Sequence, residues 1–444
     1  MKSIWRNHKK KIIFSTILLV FGFGFYYVYV RLPIITGYAA KDMCSCVFIA
    51  DRDPESVAEN EFQFSLIKHA SYEVNEKDKS VTSSVFGMGD KTAYYTPQNG
   101  CVILNDIDRK DWKYHKEELY PVREIPLADN TANFADNKQL DDAIKKHFKD
   151  DDSKKPFGAR AVVVLKDGKL IAEHYADGFD KDSKHIGWSM TKSIFNALTG
   201  IAIEQGKLEG LDQSELFPEW KDRRKAIKLK QILQMNTGLQ WEEDYGDVSE
   251  AVTMLYNRDN MVDYAISQMF EGDIGRHWEY SSGSSNMLSG ILRDRMTEKE
   301  YFDFPYKYFF DKIGASSFIM ETDAAGNFVS SSYAWATARD WAKFGQFFLD
   351  EGVVDSTRIL PEGWIDFTTE VAEGSKGEYG AHFWLPTNKD YPRSPKDMYF
   401  ADGFQGQRVF IVPSEGLVIV RLGLTRFDHP VYDDLVMDVI EALK

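Results

Sequence analysis

Apolar residues recur along the chain with two spacings, one typical of helices and the other of strands. Leu140, Ile144 and Phe148 return every four residues, which is helical spacing. Two β-rich runs flank Asp167-Gly168, a strong hairpin signal. The pattern predicts helices over 137–149, 188–203, 337–349 and 430–443, a hairpin of 159–165 and 170–175, and strands over 379–385, 399–400, 408–412 and 417–422.

The order of these elements predicts the fold class. A helix and a hairpin come first, a mainly helical stretch covers 207–350, and hairpins and a final helix close the chain. Strands and helices do not alternate, so the pattern does not predict a parallel sheet. We expect an α+β fold, in which an antiparallel β-sheet is flanked by helices and carries an inserted, mostly helical region at about 205–375. Residues 41–130 indicate a loose mixture of short strands and turns.

The N-terminus has the pattern of a membrane-targeting segment. No residue from Ile12 to Val30 is charged, and five basic residues without an acid precede this run. About 20 apolar residues span a bilayer as a helix, and flanking cations stay in the cytoplasm. We therefore expect a membrane anchor there, with a cleaved signal peptide and a buried core helix as the open alternatives. The rest of the chain would then lie outside the cytoplasm, on the periplasmic side in a bacterium.

These observations divide the chain into three predicted parts. Residues 1–35 form the anchor or signal segment, and residues 36–135 form an extracytoplasmic region that packs on the main domain. The main domain covers residues 136–444. Apolar residues make up 43% of the 444 residues, which is enough for real hydrophobic cores.

Charge and cysteine content exclude several classes of function. The net charge is −15, and beyond residue 31 there is no run rich in Lys or Arg, which argues against nucleic-acid binding. Three cysteines cannot build a Cys₄ metal site. In an oxidising compartment at most one internal pair can form, and Cys44 and Cys46 are too close to pair comfortably. We favour Cys44–Cys101 as the disulfide; Cys46–Cys101 and three buried thiols remain open.

The tetrapeptide Ser189-Met190-Thr191-Lys192 carries the most specific chemistry. At i and i+3 on a helix, Ser189 and Lys192 share one face. A serine hydroxyl needs a nearby base to act as a nucleophile, and a lysine in a dry site can be that base because burial lowers its pKa. Backbone N–H groups in the first helical turn favour developing negative charge. Alone, the motif also fits an ordinary helix start with a solvated lysine.

Two further segments add candidate groups. Residues 279–286 form a polar loop before an apolar helix, and Tyr280 in this loop could pass a proton to a leaving group. Residues 402–408 lead into a strand, and Gly403 and Gly406 allow a substrate to approach the backbone closely. Taken separately, Tyr280 is typical of a packing aromatic and 402–408 of a plain β-turn.

In this order and spacing, the three segments together resemble the serine β-lactamase-like superfamily, which includes class C β-lactamases, penicillin-binding proteins, esterases and 6-aminohexanoate-dimer hydrolases. The resemblance covers about residues 137–444 and is strongest to the 6-aminohexanoate-dimer hydrolase branch. Further similar stretches are Ile232–Leu239, Glu321–Gly326, Ser331–Trp341 and Tyr379-Gly380. Upstream, Thr36–Ser45 is similar to exported members of that branch.

The resemblance implies roles for the matched residues. Ser189 would be the acylated nucleophile, Lys192 its base and Tyr280 the proton relay to the leaving group. The backbone N–H groups of Ser189 and Gln407 would form the oxyanion hole. No metal or organic cofactor would be needed. The implied substrate-binding residues are Gln405, Gly406 and Gln407 at the strand edge, with Tyr245 in the pocket.

Two departures from the family pattern bear on the substrate. Phe404-Gln405-Gly406 stands where the family has Lys-Thr-Gly or His-Thr-Gly, so the cation that meets a substrate carboxylate is missing. Tyr280-Ser281-Ser282 stands where the family has Tyr-x-Asn. Cleavage of β-lactams or of D-Ala-D-Ala is therefore less expected than cleavage of a neutral amide or ester.

The sequence thus predicts a serine hydrolase that acts on a small-molecule amide or ester through an acyl-enzyme, similar to 6-aminohexanoate-dimer hydrolases and esterases. The alternative is a catalytically inert domain that keeps the fold and binds cell-wall fragments or a protein partner. The presence of Ser189, Lys192 and Tyr280 together favours the enzyme. The oligomeric state stays open.

Overall fold

A computed structural model describes residues 2–148, 158–387, 389–425 and 432–444. Its helices are α1 (Lys2–Phe48), α2 (Pro54–Asn60), α3 (Lys138–Lys145), α4 (Met190–Glu204), α5 (Leu229–Leu233), α6 (Glu250–Asn257), α7 (Met261–Ile266), α8 (Ser282–Asp294), α9 (Glu298–Pro305), α10 (Asp311–Ile313), α11 (Ala338–Leu349), α12 (Trp364–Thr369) and α13 (Tyr432–Ala442). Its strands are β1 (Ala70–Asn75), β2 (Ser80–Val85), β3 (Met88–Thr96), β4 (Gly100–Ile103), β5 (Ala128–Asp129), β6 (Ala159–Lys166), β7 (Lys169–Tyr175), β8 (Lys184–Ile186), β9 (Ile319–Met320), β10 (Ala334–Thr337), β11 (Val353–Val354), β12 (Thr357–Arg358), β13 (Tyr399–Gly403), β14 (Gln407–Val412) and β15 (Leu417–Gly423).

A six-stranded sheet forms the centre of the fold, in the order β13-β14-β15-β6-β7-β5. Its pairs are antiparallel except for β5 with β7, and the predicted hairpin is β6–β7. Side chains alternate between the two faces of a strand. Val162 and Val164 of β6 therefore join the core under α3 and α13, while Val163 and Leu165 join the core under α11. The α+β class is confirmed.

The N-terminal region differs from the loose mixture expected for residues 41–130. Helix α1 continues through Phe48, and every residue from Ile35 to Cys46 is buried. Strands β1–β4 form an antiparallel four-stranded sheet in chain order beside this helix. Most of their buried apolar residues, including Val81, Val85 and Ala93, belong to the same hydrophobic core as α4 and α11. This region is therefore packed as part of the main body.

No helix in the described part of the chain is long and apolar enough to cross a membrane. The structure thus gives no support to the anchor expected at Ile12–Val30, although several side chains of this segment lie outside the described ones. Helix α1 runs through the segment without a break, and Ile12, Phe14, Leu19 and Phe23 are exposed.

Three local expectations need correction. Residues 379–385 were expected to form a strand but make isolated bridges, because His382 takes φ +57° and its ring bonds to the carbonyl of Lys192. The helix expected from residue 188 begins at Met190. The mainly helical stretch also contains β9 and β10, and β10 pairs with β8 on one side and with β9 on the other. Of the helix expected over 430–443, residues 430–431 lie outside the described residues.

Candidate active site

A tight turn places Ser189 at the start of α4. Gly187 precedes it, and a Cβ there would lie 2.4 Å from the Trp341 ring. Trp188 takes φ +46°, a left-handed conformation that is uncommon for a bulky residue. Ser189 occupies the N-cap position, yet in the described structure its hydroxyl makes no capping bond. The hydroxyl is half-buried and faces Lys192 instead.

Lys192 is the buried partner of Ser189. It lies one turn along α4, its side chain is 1% exposed, and its Nζ lies 3.0 Å from the Ser189 Oγ. The same Nζ donates to the Ser282 Oγ at 3.0 Å and to the Ser331 carbonyl at 3.1 Å. Burial lowers the pKa of Lys192 to about 8, although the Glu243 and Asp402 carboxylates act in the opposite direction. A substantial neutral fraction is therefore available near neutral pH.

Glu243 lies behind Lys192 and was not singled out from the sequence. Its Oε1 is 3.9 Å from the Lys192 Nζ. The Ser282 hydroxyl donates to the same oxygen, and the Ser282 backbone N–H donates to Oε2 at 2.9 Å. Tyr245, the expected pocket residue, donates its phenol to Oε1 at 2.7 Å. Ser282 thus bridges a lysine and a carboxylate.

Tyr280 lies on the other side of Lys192. The Lys192 Nζ is 4.8 Å from the centre of its ring. Burial and the Glu243 charge raise the pKa of Tyr280 well above its usual range, while a hydrogen bond with Ser189 lowers it. The phenol is therefore protonated at neutral pH. The Trp384 ring, 5.2 Å away between ring centres, fixes the orientation of the Tyr280 ring.

The strand edge at residues 403–407 lies against the nucleophile turn. A Cβ on Gly403 would be 2.2 Å from the Gly187 carbonyl, and the Phe404 ring meets the Trp188 ring edge-on at 5.8 Å. Gln407, whose backbone N–H is the expected oxyanion donor, is 2% exposed, and its side-chain amide donates to the Gly423 carbonyl at 2.6 Å. Gly403 and Phe404 therefore both contact the turn that carries Ser189.

A cleft of about 930 Å³ opens beside the strand edge. Gln405 and Gly406, two of the expected substrate-binding residues, lie in its wall. Arg408 also lines the cleft, but it pairs with Asp402 at 2.7 Å. Six of its seventeen lining residues are aromatic, namely Phe64, Trp384, Tyr391, Phe400, Phe404 and Tyr432, and five are charged.

The structure brings the predicted groups together at one end of α4. Ser189, Lys192, Tyr280 and Tyr245 converge, and Gln407 lines a small cavity of about 30 Å³ together with Trp188 of the nucleophile turn. Among the described residues, no group of three or more His, Cys, Asp or Glu side chains is arranged to hold a metal ion. The arrangement can perform nucleophilic acyl transfer, because it joins a nucleophile, a lysine whose pKa is lowered to about 8 and a protonated phenol.

Comparison with known proteins agrees with this geometry. The Beta-lactamase family matches residues 142–437 of the chain. The chain belongs to the Beta-lactamase family. As a family member it is a serine hydrolase, and the matched residues include α4, α8 and β13–β15, which carry the site.

Relatives of this Beta-lactamase family member include the 6-aminohexanoate-dimer hydrolase of Paenarthrobacter ureafaciens. The two are 26% identical over 317 residues, which is 64% of this chain and 78% of the relative. The fold is similar to that of a "Putative 6-aminohexanoate-dimer hydrolase from Bacillus anthracis", with TM-score 0.58, 18% identity, and coverage of 75% of this chain and 91% of that one. It is also similar to a penicillin-binding protein homologue from Caulobacter crescentus, with TM-score 0.53, 15% identity, and coverage of 69% and 97%.

The sequence missed Glu243, Ser282 and Ser331 as neighbours of Lys192. Ser282 lies inside the segment around Tyr280, but from the sequence it was noted only because it replaces the asparagine of the Tyr-x-Asn pattern. Glu243 lay two residues before Tyr245, the one residue of that stretch considered for the pocket. A usable signal was the requirement that a buried lysine has acceptors for its protons, which any Beta-lactamase family member with a Ser-x-x-Lys motif must meet.

Proposed function

We propose that the chain hydrolyses an amide or ester bond of a small molecule by two-step acyl transfer at Ser189. The observation that carries the proposal is the position of Lys192. Its Nζ is 3.0 Å from the Ser189 Oγ, and burial lowers its pKa to about 8. A lysine that loses its proton this readily is matched to the task of a general base near neutral pH.

The proposed reaction has two steps. Neutral Lys192 takes the proton of the Ser189 hydroxyl as the oxygen attacks the substrate carbonyl. The backbone N–H of Ser189 and an N–H of the strand edge at 403–407 stabilise the oxyanion. Tyr280 gives its proton to the departing amine or alcohol and recovers one from Lys192. Water then attacks the acyl carbonyl, and the protons move in the reverse direction. The proton of the water passes through Tyr280 to Lys192, and Lys192 returns a proton to the Ser189 oxygen as the acid product leaves.

For the substrate, we propose an amide or ester with a neutral group in the cleft. The relative from Paenarthrobacter ureafaciens is named for a dimer of 6-aminohexanoate. The cation of the Lys-Thr-Gly motif is absent, since Phe404 and Gln405 occupy those positions. Arg408 in the cleft already pairs with Asp402. The six aromatic side chains of the wall offer a packing surface to apolar chains and rings, beside charged side chains such as Glu378, Lys389 and Asp390.

The proposal is tested by a fluorophosphonate probe on the full chain, purified with detergent, followed by intact-mass analysis. We expect a single adduct that Ser189→Ala and Lys192→Ala both abolish while each variant keeps the wild-type circular dichroism spectrum. Matched neutral and anionic nitrophenyl esters should then show faster turnover of the neutral one. Absence of an adduct on folded protein would overturn the proposal and favour the inert binding domain.

We also propose that the domain works outside the cytoplasm. The support is the cluster of basic residues before Ile12 and the disulfide between Cys44 and Cys101, a bond that is rare in the reducing cytoplasm. A phosphatase reporter fused after Lys444 tests the location, because it is active only outside the cytoplasm of a bacterial host. An inactive reporter on a stable fusion would contradict it. Alkaline extraction of membranes then distinguishes an attached chain from a released one.

A further inference from the structure

The segment Thr36–Ser45 of α1 has no part in the acyl-transfer chemistry, yet it is among the most deeply buried parts of the protein. Every residue of the segment is buried, and Ala39, Met43 and Cys44 are 0% exposed. A simple tether to a domain needs no such burial. The segment packs against the turn that carries the nucleophile, and its contacts point to a function there.

The residue that needs support in this turn is Trp188. It precedes Ser189 directly, and its φ of +46° costs free energy that the surroundings must offset. Three rings hold the Trp188 ring in place. Tyr38 stacks on it with 7° between the planes and 6.3 Å between ring centres, Tyr333 lies at 5.6 Å and Phe404 at 5.8 Å. Tyr38 is the only one of the three that comes from α1.

Tyr38 itself is held from several sides. Tyr256 and Phe64 meet its ring at steep angles, with ring centres 5.8 Å and 5.7 Å away. Gly37 lets the helix approach closely, because a Cβ there would lie 3.0 Å from the Cβ of Tyr256. In the described structure the Tyr38 hydroxyl has no hydrogen-bond partner. The ring rather than the hydroxyl therefore carries the contact with Trp188.

One turn further on, the same segment is anchored to the loop that receives Lys192. Lys41 donates to Glu321 at 2.9 Å, and the Ser45 hydroxyl donates to the same carboxylate at 2.9 Å. The backbone N–H of Glu321 donates to the Tyr333 carbonyl at 2.9 Å. This loop contains Ser331, whose carbonyl accepts from Lys192. The segment thus reaches the surroundings of both catalytic groups.

We propose that Tyr38 is a positioning residue for Ser189, acting by holding Trp188 in its left-handed conformation. The inference rests on the proposed function of Ser189 and extends the active site to the N-terminal helix. A small displacement of a nucleophile reduces its rate of attack steeply. Loss of the Tyr38 ring should therefore slow acylation, with little effect on substrate binding in the cleft.

The test compares Tyr38→Ala, Tyr38→Leu and Tyr38→Phe in the full chain with Phe48→Ala as the matched control. Phe48 is an aromatic residue of the same helix, and its ring stacks on Tyr95, away from the turn. The readouts are the rate constant for labelling of Ser189 by the fluorophosphonate, kcat and KM for an ester, and the urea midpoint of unfolding. Tyr38→Leu keeps most of the buried volume in case Tyr38→Ala fails to fold.

We expect Tyr38→Leu and Tyr38→Ala to slow labelling and kcat about tenfold or more while KM changes little. Tyr38→Phe should keep near wild-type rates, because the ring is retained. Phe48→Ala should lower the urea midpoint but leave the labelling rate within about twofold. Equal labelling rates for Tyr38→Leu and Phe48→Ala would overturn the proposal, as would a loss in Tyr38→Phe as large as in Tyr38→Leu.

A readout without catalysis separates this proposal from the proposed function. Hydrogen–deuterium exchange of the peptide covering 187–192 should be faster in Tyr38→Leu than in the wild type and in Phe48→Ala. If the wild type does not react with the probe but this exchange pattern holds, the hydrolase mechanism fails while Tyr38 still positions the turn. If exchange is unchanged in Tyr38→Leu, the positioning role is wrong whatever the activity.

Discussion

Glu243 places its Oε1 3.9 Å from the Nζ of Lys192, and the Ser282 hydroxyl bonds to both groups. Burial favours the neutral form of Lys192, and the Glu243 charge favours the cation, so the two effects oppose each other. Their balance leaves the pKa of Lys192 at about 8. We conclude that Glu243, together with Asp402, limits how far burial lowers the pKa of this base.

Replacement of Glu243 by glutamine should shift the pH profile of acylation to lower pH. Lys192 is a base only when neutral, so the labelling rate of Ser189 rises with pH through the lysine pKa of about 8. Glu243→Gln removes the charge that favours the cation, which lowers this pKa and moves the midpoint down by about 1 pH unit. The exposed neighbour Glu242 supplies the control variant Glu242→Gln, whose midpoint should stay in place. An unchanged or higher midpoint for Glu243→Gln would show that this charge does not act on Lys192.

Ser282→Ala should raise the activation free energy of turnover by more than it lowers the free energy of unfolding. The variant loses the acceptor that holds the Lys192 Nζ at 3.0 Å, and hydrogen bonds to charged groups contribute about 1.5–3 kcal/mol. This corresponds to a fall in kcat of about 10- to 100-fold. Ser281→Ala is the control, since Ser281 caps α8 by accepting from the Ser284 N–H. It should cost about 1 kcal/mol of stability and leave the labelling rate nearly unchanged.

Equal losses of activity in these two serine variants would mean that the start of α8 stabilises the fold but has no specific effect on Lys192. Steady-state kinetics and urea unfolding, measured on the same preparations, decide between the two outcomes. A Ser282→Ala enzyme with wild-type kcat would remove Ser282 from the site.

Tyr280→Phe should discriminate between substrates by their leaving groups. Burial and the Glu243 charge raise the pKa of Tyr280 above its usual range, so its phenol is held as a proton donor. An amine needs this proton in order to leave, whereas nitrophenolate does not. We expect hydrolysis of an anilide to fall about 100-fold or more, the typical contribution of general acid catalysis. Hydrolysis of the matched nitrophenyl ester should fall much less. Equal losses for the two substrates would exclude the proton relay.

The sequence predicted those parts of the site that are local in the chain. The spacing of Ser189 and Lys192 follows from one helical turn, and the segment around Tyr280 was visible as a polar loop before an apolar helix. The Asp167-Gly168 turn marked the central hairpin for the same reason, since its register is set by adjacent residues.

Contacts between distant segments were beyond such reasoning. Glu243 acts on Lys192 only because the fold brings their segments together. The periodicity of neither segment predicts this contact. The burial of Thr36–Ser45 also could not be derived, because Lys41 and Asp42 are residue types that are usually exposed, and Glu321, the partner of Lys41, is distant in the chain. His382 broke the expected strand through a bond to Lys192 that local patterns do not contain.

The Cys44–Cys101 disulfide should account for a measurable part of the stability. It closes a loop with a sequence separation of 57 and joins α1 to β4. Constraint of the unfolded chain by such a loop contributes about 2–4 kcal/mol. Cys44→Ser should therefore lower the free energy of unfolding in urea by this amount, and a reducing agent should lower that of the wild type equally.

Cys46→Ser is the control, because Cys46 is a buried free thiol and burial raises its pKa. In this variant reduction should still be destabilising, whereas in Cys44→Ser it should have no effect. Alkylation of the denatured, unreduced wild type should label one thiol; three labelled thiols would show that the bond does not form.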